Sequence, residues 1–195
     1  LYKACGRWKQ IRMIKFLITA GADVTIDGNH TIIRALAIGR LDIVEVLQAA
    51  GADPCANDGE ALVLAIANGN ERCNAVVQYL IDNRVNVNNR MGLPIIQATK
   101  EENMEIIRML VAAGARCDVR DSEPVQIALR NGCIDIVKYF LANGANHAIA
   151  VRYAAMENCV ELLAYLRLSP AVGDQDFIDG LSAAIQYGCA DSVQY

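Results

Sequence analysis

Apolar residues recur along this chain in quartets at positions i, i+1, i+3 and i+4, a spacing that gathers them on one stripe of a helix. The quartets are Met13, Ile14, Phe16, Leu17; Ile43, Val44, Val46, Leu47; Val76, Val77, Tyr79, Leu80; Ile106, Ile107, Met109, Leu110; Ile136, Val137, Tyr139, Phe140; and Leu162, Leu163, Tyr165, Leu166. Asp42, Glu105, Asp135 and Glu161 each stand one residue ahead of a quartet, where negative charge suits a helix N-terminus. Each quartet predicts a helix that turns its whole stripe into the core. The aromatic column Phe16, Tyr79, Tyr139 and Tyr165 is therefore read as core, with tyrosine hydroxyls left at the rim.

A closing phrase follows the quartets. Gly21-Ala22-Asp23, Gly51-Ala52-Asp53, Gly114-Ala115-Arg116 and Gly144-Ala145-Asn146 share it, and Arg84-Val85-Asn86 holds the same place, giving spacings of 30, 33, 30 and 30 residues. Glycine just past a helix supplies the left-handed residue that ends it, so Arg84 must close its helix less comfortably. A shorter helix precedes each quartet, marked by alanine and glycine four apart: Ala35 and Gly39, Ala65 and Gly69, Ala128 and Gly132, Ala184 and Gly188. Small alanine allows close helix approach and glycine allows the reversal. Ala98 with Glu102 and Ala154 with Asn158 keep the alanine alone, while Pro94 and Pro124 fall where proline opens a helix. Phrase and next alanine are 14 residues apart, except from Gly144 to Ala154, which are 10 apart. That deficit predicts a clipped loop, and the extra residues around Glu71-Arg72-Cys73 predict a bulged turn.

Helix, tight turn, helix, Gly-Ala and a short extended loop together resemble the ankyrin repeat, and the resemblance covers nearly the whole chain. The family's Thr-Pro-Leu-His opening survives only as Leu93-Pro94-Ile95-Ile96 and Glu123-Pro124-Val125-Gln126, without the histidine and its hydrogen bond. Most units here are 30 residues long instead of 33. This shortened form, with phrases such as Leu41-Asp42-Ile43-Val44 and Ile134-Asp135-Ile136-Val137-Lys138-Tyr139, is similar to repeats of amoebal giant DNA viruses; divergent cellular ankyrin proteins are the other source. Tetratricopeptide units have a different aromatic set, and leucine-rich units need a LxxLxLxxN pattern that is absent. The resemblance implies an all-α ankyrin-repeat solenoid of helix-turn-helix units, about seven repeats with the terminal ones incomplete. The array is expected to run as one domain over 1–195, with units near 1–22, 31–52, 61–85, 94–115, 124–145, 150–171 and 180–195.

Composition narrows the function. An apolar fraction of 54% with 21% charged residues is that of a folded chain. A net charge of −4 offers no basic field for nucleic acid or an anionic membrane surface. No apolar run is long enough to cross a membrane. The chain opens at Leu1 without Met or a secretory pattern, so it is expected to be cut from a longer protein extending past both ends. Seven cysteines with no CxxC pair argue for a reducing compartment, cytoplasmic or nuclear, or the host cytoplasm if the source is viral. The sequon Asn29-His30-Thr31 is of a kind that arises by chance.

Candidate chemistry is sparse. His30 and His147 fall in different inter-repeat loops, and no glycine-rich phosphate loop appears, so no catalytic residue, cofactor, metal or small-molecule substrate is assigned. Cys133, Cys159 and Cys189 each follow a turn, 26 and 30 residues apart. Stacked units stand on the order of 10 Å apart, too far for a disulfide, and zinc would lack its other ligands, so these read as buried small apolar side chains.

What remains is surface. The resemblance implies that the first helices and loops line a concave face, with contacts at loop tips and at the two residues before each turn. The partner-binding residues expected at the turns are Ile38, Asn68, Lys100, Glu101, Arg130, Asn131, Met156, Glu157 and Tyr187; those at the tips are Asp27, Asn29, Asp58, Arg90, Arg120, Asp121 and Phe177. Exposed apolar residues among polar ones, such as Ile38, Met156, Phe177 and Tyr187, would anchor a partner. The expected function is a monomeric, non-catalytic protein-interaction module, either an adaptor or a scaffold segment of a larger channel or enzyme.

Overall fold

The computed structural model describes residues 11–69 and 72–187, and every regular element among them is a helix. In chain order these are α1 (Ile11–Thr19), α2 (Ile26–Ala37), α3 (Leu41–Ala49), α4 (Ala56–Asn68), α5 (Cys73–Asp82), α6 (Asn89–Lys100), α7 (Met104–Ala112), α8 (Val119–Arg130), α9 (Ile134–Ala142), α10 (His147–Met156), α11 (Val160–Arg167) and α12 (Asp174–Tyr187). They divide into two compact units, one ending at Ala115 and the other beginning at Arg116.

In the first unit α2 packs on α3, α4 on α5 and α6 on α7 as hairpins; the leading helices α2, α4 and α6 neighbour one another, and so do the trailing pairs α1 with α3 and α5 with α7. In the second unit α8 with α9 and α10 with α11 form the hairpins, and α10 lies between α8 and α12. The alanines Ala35, Ala65, Ala98, Ala128, Ala154 and Ala184 are each 0% exposed. Any larger side chain there would have to push the helices apart.

Five of the six quartets fill the core with three of their four members, whereas in α1 Ile14 alone is buried. Ile43, Val44 and Leu47 are buried while Val46 is half-buried; Val76, Val77 and Leu80 are buried while Tyr79 is half-buried; the pattern repeats in α7, α9 and α11. The aromatic column is thus not core: Phe16 is 65% exposed, Tyr165 is 42% exposed, and Tyr79 and Tyr139 are half-buried. The reason is angular. At about 100° per residue, i, i+1 and i+4 cluster within about 100° of arc, and i+3 falls on the flank of that cluster.

Trailing helices that carry the closing phrase end as it requires. Ala52, Val85 and Ala115 donate their amides to the carbonyls of Leu47, Leu80 and Leu110 at 3.0, 3.0 and 2.9 Å, the six-to-one bond of a helix closed by a left-handed residue. Gly51 and Gly114 take that conformation at φ +96° and +90°, and Arg84 takes it at +60°.

The connecting segments, which the sequence pattern predicts to be extended, are not. Asp27-Gly28-Asn29, Asn57-Asp58-Gly59, Arg90-Met91-Gly92 and Arg120-Asp121-Ser122 each form one left-handed turn ahead of a right-handed helix. Thr25, Cys55 and Asn88 donate their amides to the Asp23, Asp53 and Asn86 side chains at 2.8, 2.8 and 3.0 Å, so the Asp or Asn of the closing phrase steers the chain into the turn. After Gly144 the four missing residues remove it: Asn146 at once caps α10, its Oδ1 accepting the Ile149 amide at 3.2 Å. The bulge expected around Glu71-Arg72-Cys73 lies partly outside the described residues; α5 begins at Cys73.

Candidate functional site

With the trailing helices buried on their stripes, the exposed chemistry of the leading helices and left-handed turns is the candidate site. Asp27 and Asp58 are exposed on their turns, Asp121 likewise, and Arg90 and Arg120 open theirs. Arg90 donates to the Asn57 carbonyl at 3.2 Å, and Arg120 lies 3.5 Å from Glu123. Asn29 is half-buried, and its Oδ1 accepts the Asp53 amide at 2.9 Å, joining successive repeats.

At the helix turns, Lys100, Glu101, Asn131 and Glu157 are exposed, Ile38 and Met156 are half-buried, and Asn68 is exposed with its amide held by the Ala37 carbonyl at 2.9 Å. Arg130 reaches Glu157 at 3.4 Å, so two expected contact residues pair across neighbouring leading helices. Phe177 is half-buried, with the Arg167 guanidinium 5.3 Å above its ring. Tyr187 ends α12, and its side chain lies outside the described residues.

Asp27 and Asn68 are brought together in a groove between α2 and α4 of about 680 Å³, lined also by Asp23, Ile26, His30, Arg34, Glu60 and Leu64. His30 therefore stands on α2 and His147 opens α10, so neither belongs to a loop as the sequence suggested; the left-handed turn and the clipped connection bring the helices forward. Sequence reasoning missed Arg34, Glu60 and Leu64. The available signal was helical: His30, Arg34 and Ile38, like Glu60, Leu64 and Asn68, step by four back from the turn residue. A second groove of about 360 Å³ lies between α10 and α12, lined by Arg152, Asp176, Asp179 and Gln186 among others.

Burial pushes the thiols of Cys73 and Cys117 up to about 11. Cys133 and Cys159 are only half-buried, because each sits at the helix reversal and not on a stripe; Cys189 lies outside the described residues. No disulfide links Cys55, Cys73, Cys117, Cys133 or Cys159. Among the described residues no helix is long and apolar enough to cross a membrane.

The model of ankyrin repeats in three copies matches residues 32–121 and 62–151. The chain belongs to the ankyrin-repeat family. Its helical hairpins, turn alanines and left-handed closures are thus those of an all-α ankyrin fold, and ankyrin repeats are in general protein-interaction modules. The chain is also 32% identical over 111 residues to cyclin-dependent kinase inhibitor 2A of Monodelphis domestica, a match covering 54% of this chain and 65% of that protein. That ankyrin relative is, by its name, an inhibitor of cyclin-dependent kinases.

Proposed function

We propose that this ankyrin chain is a non-catalytic binding module that holds a protein partner through the turns and tips of its leading helices. The observation that carries this is the α2–α4 groove of about 680 Å³, in which Asp27 and Asn68 stand among other polar and apolar side chains. A surface mixing apolar anchors with polar groups suits protein recognition. The negative net charge speaks against nucleic acid and anionic membranes as partners. Free thiols at the described Cys55, Cys73, Cys117, Cys133 and Cys159 favour a cytoplasmic or nuclear setting, and a monomer is the simplest state for such a module.

The name of the marsupial relative makes a cyclin-dependent kinase the first partner to try. Affinity capture from cell extract, with purified kinases added as a separate arm, tests the assignment. Reversing Lys100 and Arg130 to glutamate, or changing Asp27, Asp58 and Asp121 at the tips, is expected to release the captured partner. If these changes leave every captured protein in place, the leading-helix face is not the binding surface.

A further inference from the structure

The α2–α4 groove has a pronounced bias in charge. Asp23, Asp27 and Glu60 line it beside Arg34 and His30. Thr25 holds the Asp23 carboxyl below the usual range by hydrogen bonds from its hydroxyl and its amide, which keeps that carboxylate ionised. Glu60 accepts from the Asn57 side-chain Nδ2 at 3.3 Å. Asp53 and Asp58 stand on the same stretch of chain, and the other cation of this stretch, Arg40, is engaged by Asp42 through two bonds of 2.7 Å. Arg40 therefore adds little positive field to the groove.

The same groove carries uncovered apolar surface. Ile26 is 63% exposed and Leu64 is 38% exposed, one on each wall. A ligand that satisfies both features must bring positive charge and hydrocarbon together. Phosphate-rich partners fail on charge, and purely apolar segments would leave carboxylates desolvated without a counter-charge.

Resting on the binding-module reading above, we propose that the α2–α4 groove takes a partner segment carrying Lys or Arg beside an aliphatic residue. The cation is received by Asp27 and Glu60, and the aliphatic side chain lies between Ile26 and Leu64. Arginine suits the site best, because its fork addresses carboxylates and its stem covers apolar surface. Asp27 takes φ +56°, a conformation that asparagine also tolerates, so Asp27→Asn removes the charge without disturbing the turn.

The test uses the isotope-labelled full chain and short fluorescent Gly-Ser peptides with a central Leu-Arg-Leu-Arg run, compared with Glu-for-Arg and Ser-for-Leu counterparts. The first peptide is expected to bind and to shift amide signals along α2 and α4. Its affinity should drop about tenfold in Asp27→Asn/Glu60→Gln and again in Leu64→Gln, each variant keeping the parent melting temperature. Raising salt from about 50 mM to about 500 mM should weaken it further. Equal binding of the Glu peptide, unchanged affinity in the variants, or signal shifts confined to other helices would overturn the proposal. A captured partner released by the Lys100 and Arg130 reversal but retained by Asp27→Asn/Glu60→Gln would overturn it alone and leave the binding-module reading standing.

Discussion

Gly59 sits at φ +66°, and a Cβ added there would lie 2.4 Å from Asn89 Nδ2 and 2.9 Å from Val85 Cγ2. Asn89 is 2% exposed and presses its amide into the space glycine leaves. Gly59→Ala should therefore destabilise the chain by about 2 kcal/mol, part from the left-handed backbone and part from the collision. An Asn89→Ala background removes the collision with Asn89 and leaves that with Val85, and urea titrations of the four species measure the Asn89 share as a coupling. The cysteines make a second residue-scale prediction. Cys73 and Cys117, pushed up to about 11 from an unfolded value of 9.0, keep their protons longer when folded. Their contribution is intact below about pH 9 and is lost as pH rises toward about 11, because the unfolded thiols ionise first. Stability measured at about pH 8 and about pH 10 should fall more for the parent than for Cys73→Ala/Cys117→Ala. At neutral pH a thiol reagent should label Cys133 and Cys159 well before the two buried thiols.

Among elements, the ends of the helices decide the repeat geometry. Arg84 closes α5 at φ +60° where the other closing phrases use glycine, so Arg84→Gly should raise stability by about 1 kcal/mol, read as a higher denaturation midpoint at unchanged slope. Conversely, Asn146→Ala removes the side-chain acceptor that caps α10 and should cost about 1 kcal/mol. The first change acts at the C-terminus of a trailing helix and the second at the N-terminus of a leading helix. Both positions were visible in the spacing: Arg84 broke the glycine column, and the interval from Gly144 to Ala154 was short by four. That the missing four residues are a left-handed turn was not visible, since Arg90-Met91-Gly92 and Asp27-Gly28-Asn29 share no residue pattern beyond one glycine at differing places.

For the molecule as a whole, energy is shared between neighbours inside each unit, because hairpins there bury their stripes against one another. Leu110 is fully buried in α7, which packs on α5 and α6. Leu110→Ala should cost about 2 to 5 kcal/mol, and hydrogen exchange should quicken in α5 and α6 before α1 and α3 respond. Within α1, Ile14 alone is buried, so its amides should exchange ahead of those in α3, α5 and α7. A uniform loss of protection across the first unit would contradict this local coupling.

The repeat itself was written in the sequence. Quartets, closing glycines and turn alanines set helix identity and order, because 3.6-residue periodicity and left-handed closure depend on residues near one another along the chain. So was the family, and with it the general role in protein binding. Contact between hairpins decided the rest. Tyr165 and Phe16 lie on the flank of their stripes, Cys133 and Cys159 are half exposed, and Glu60 and Leu64 meet Asp27 across a groove. Periodicity within one helix gives its apolar side, whereas which edge of that side is covered, and which polar residues face each other, depends on the neighbour some thirty residues away.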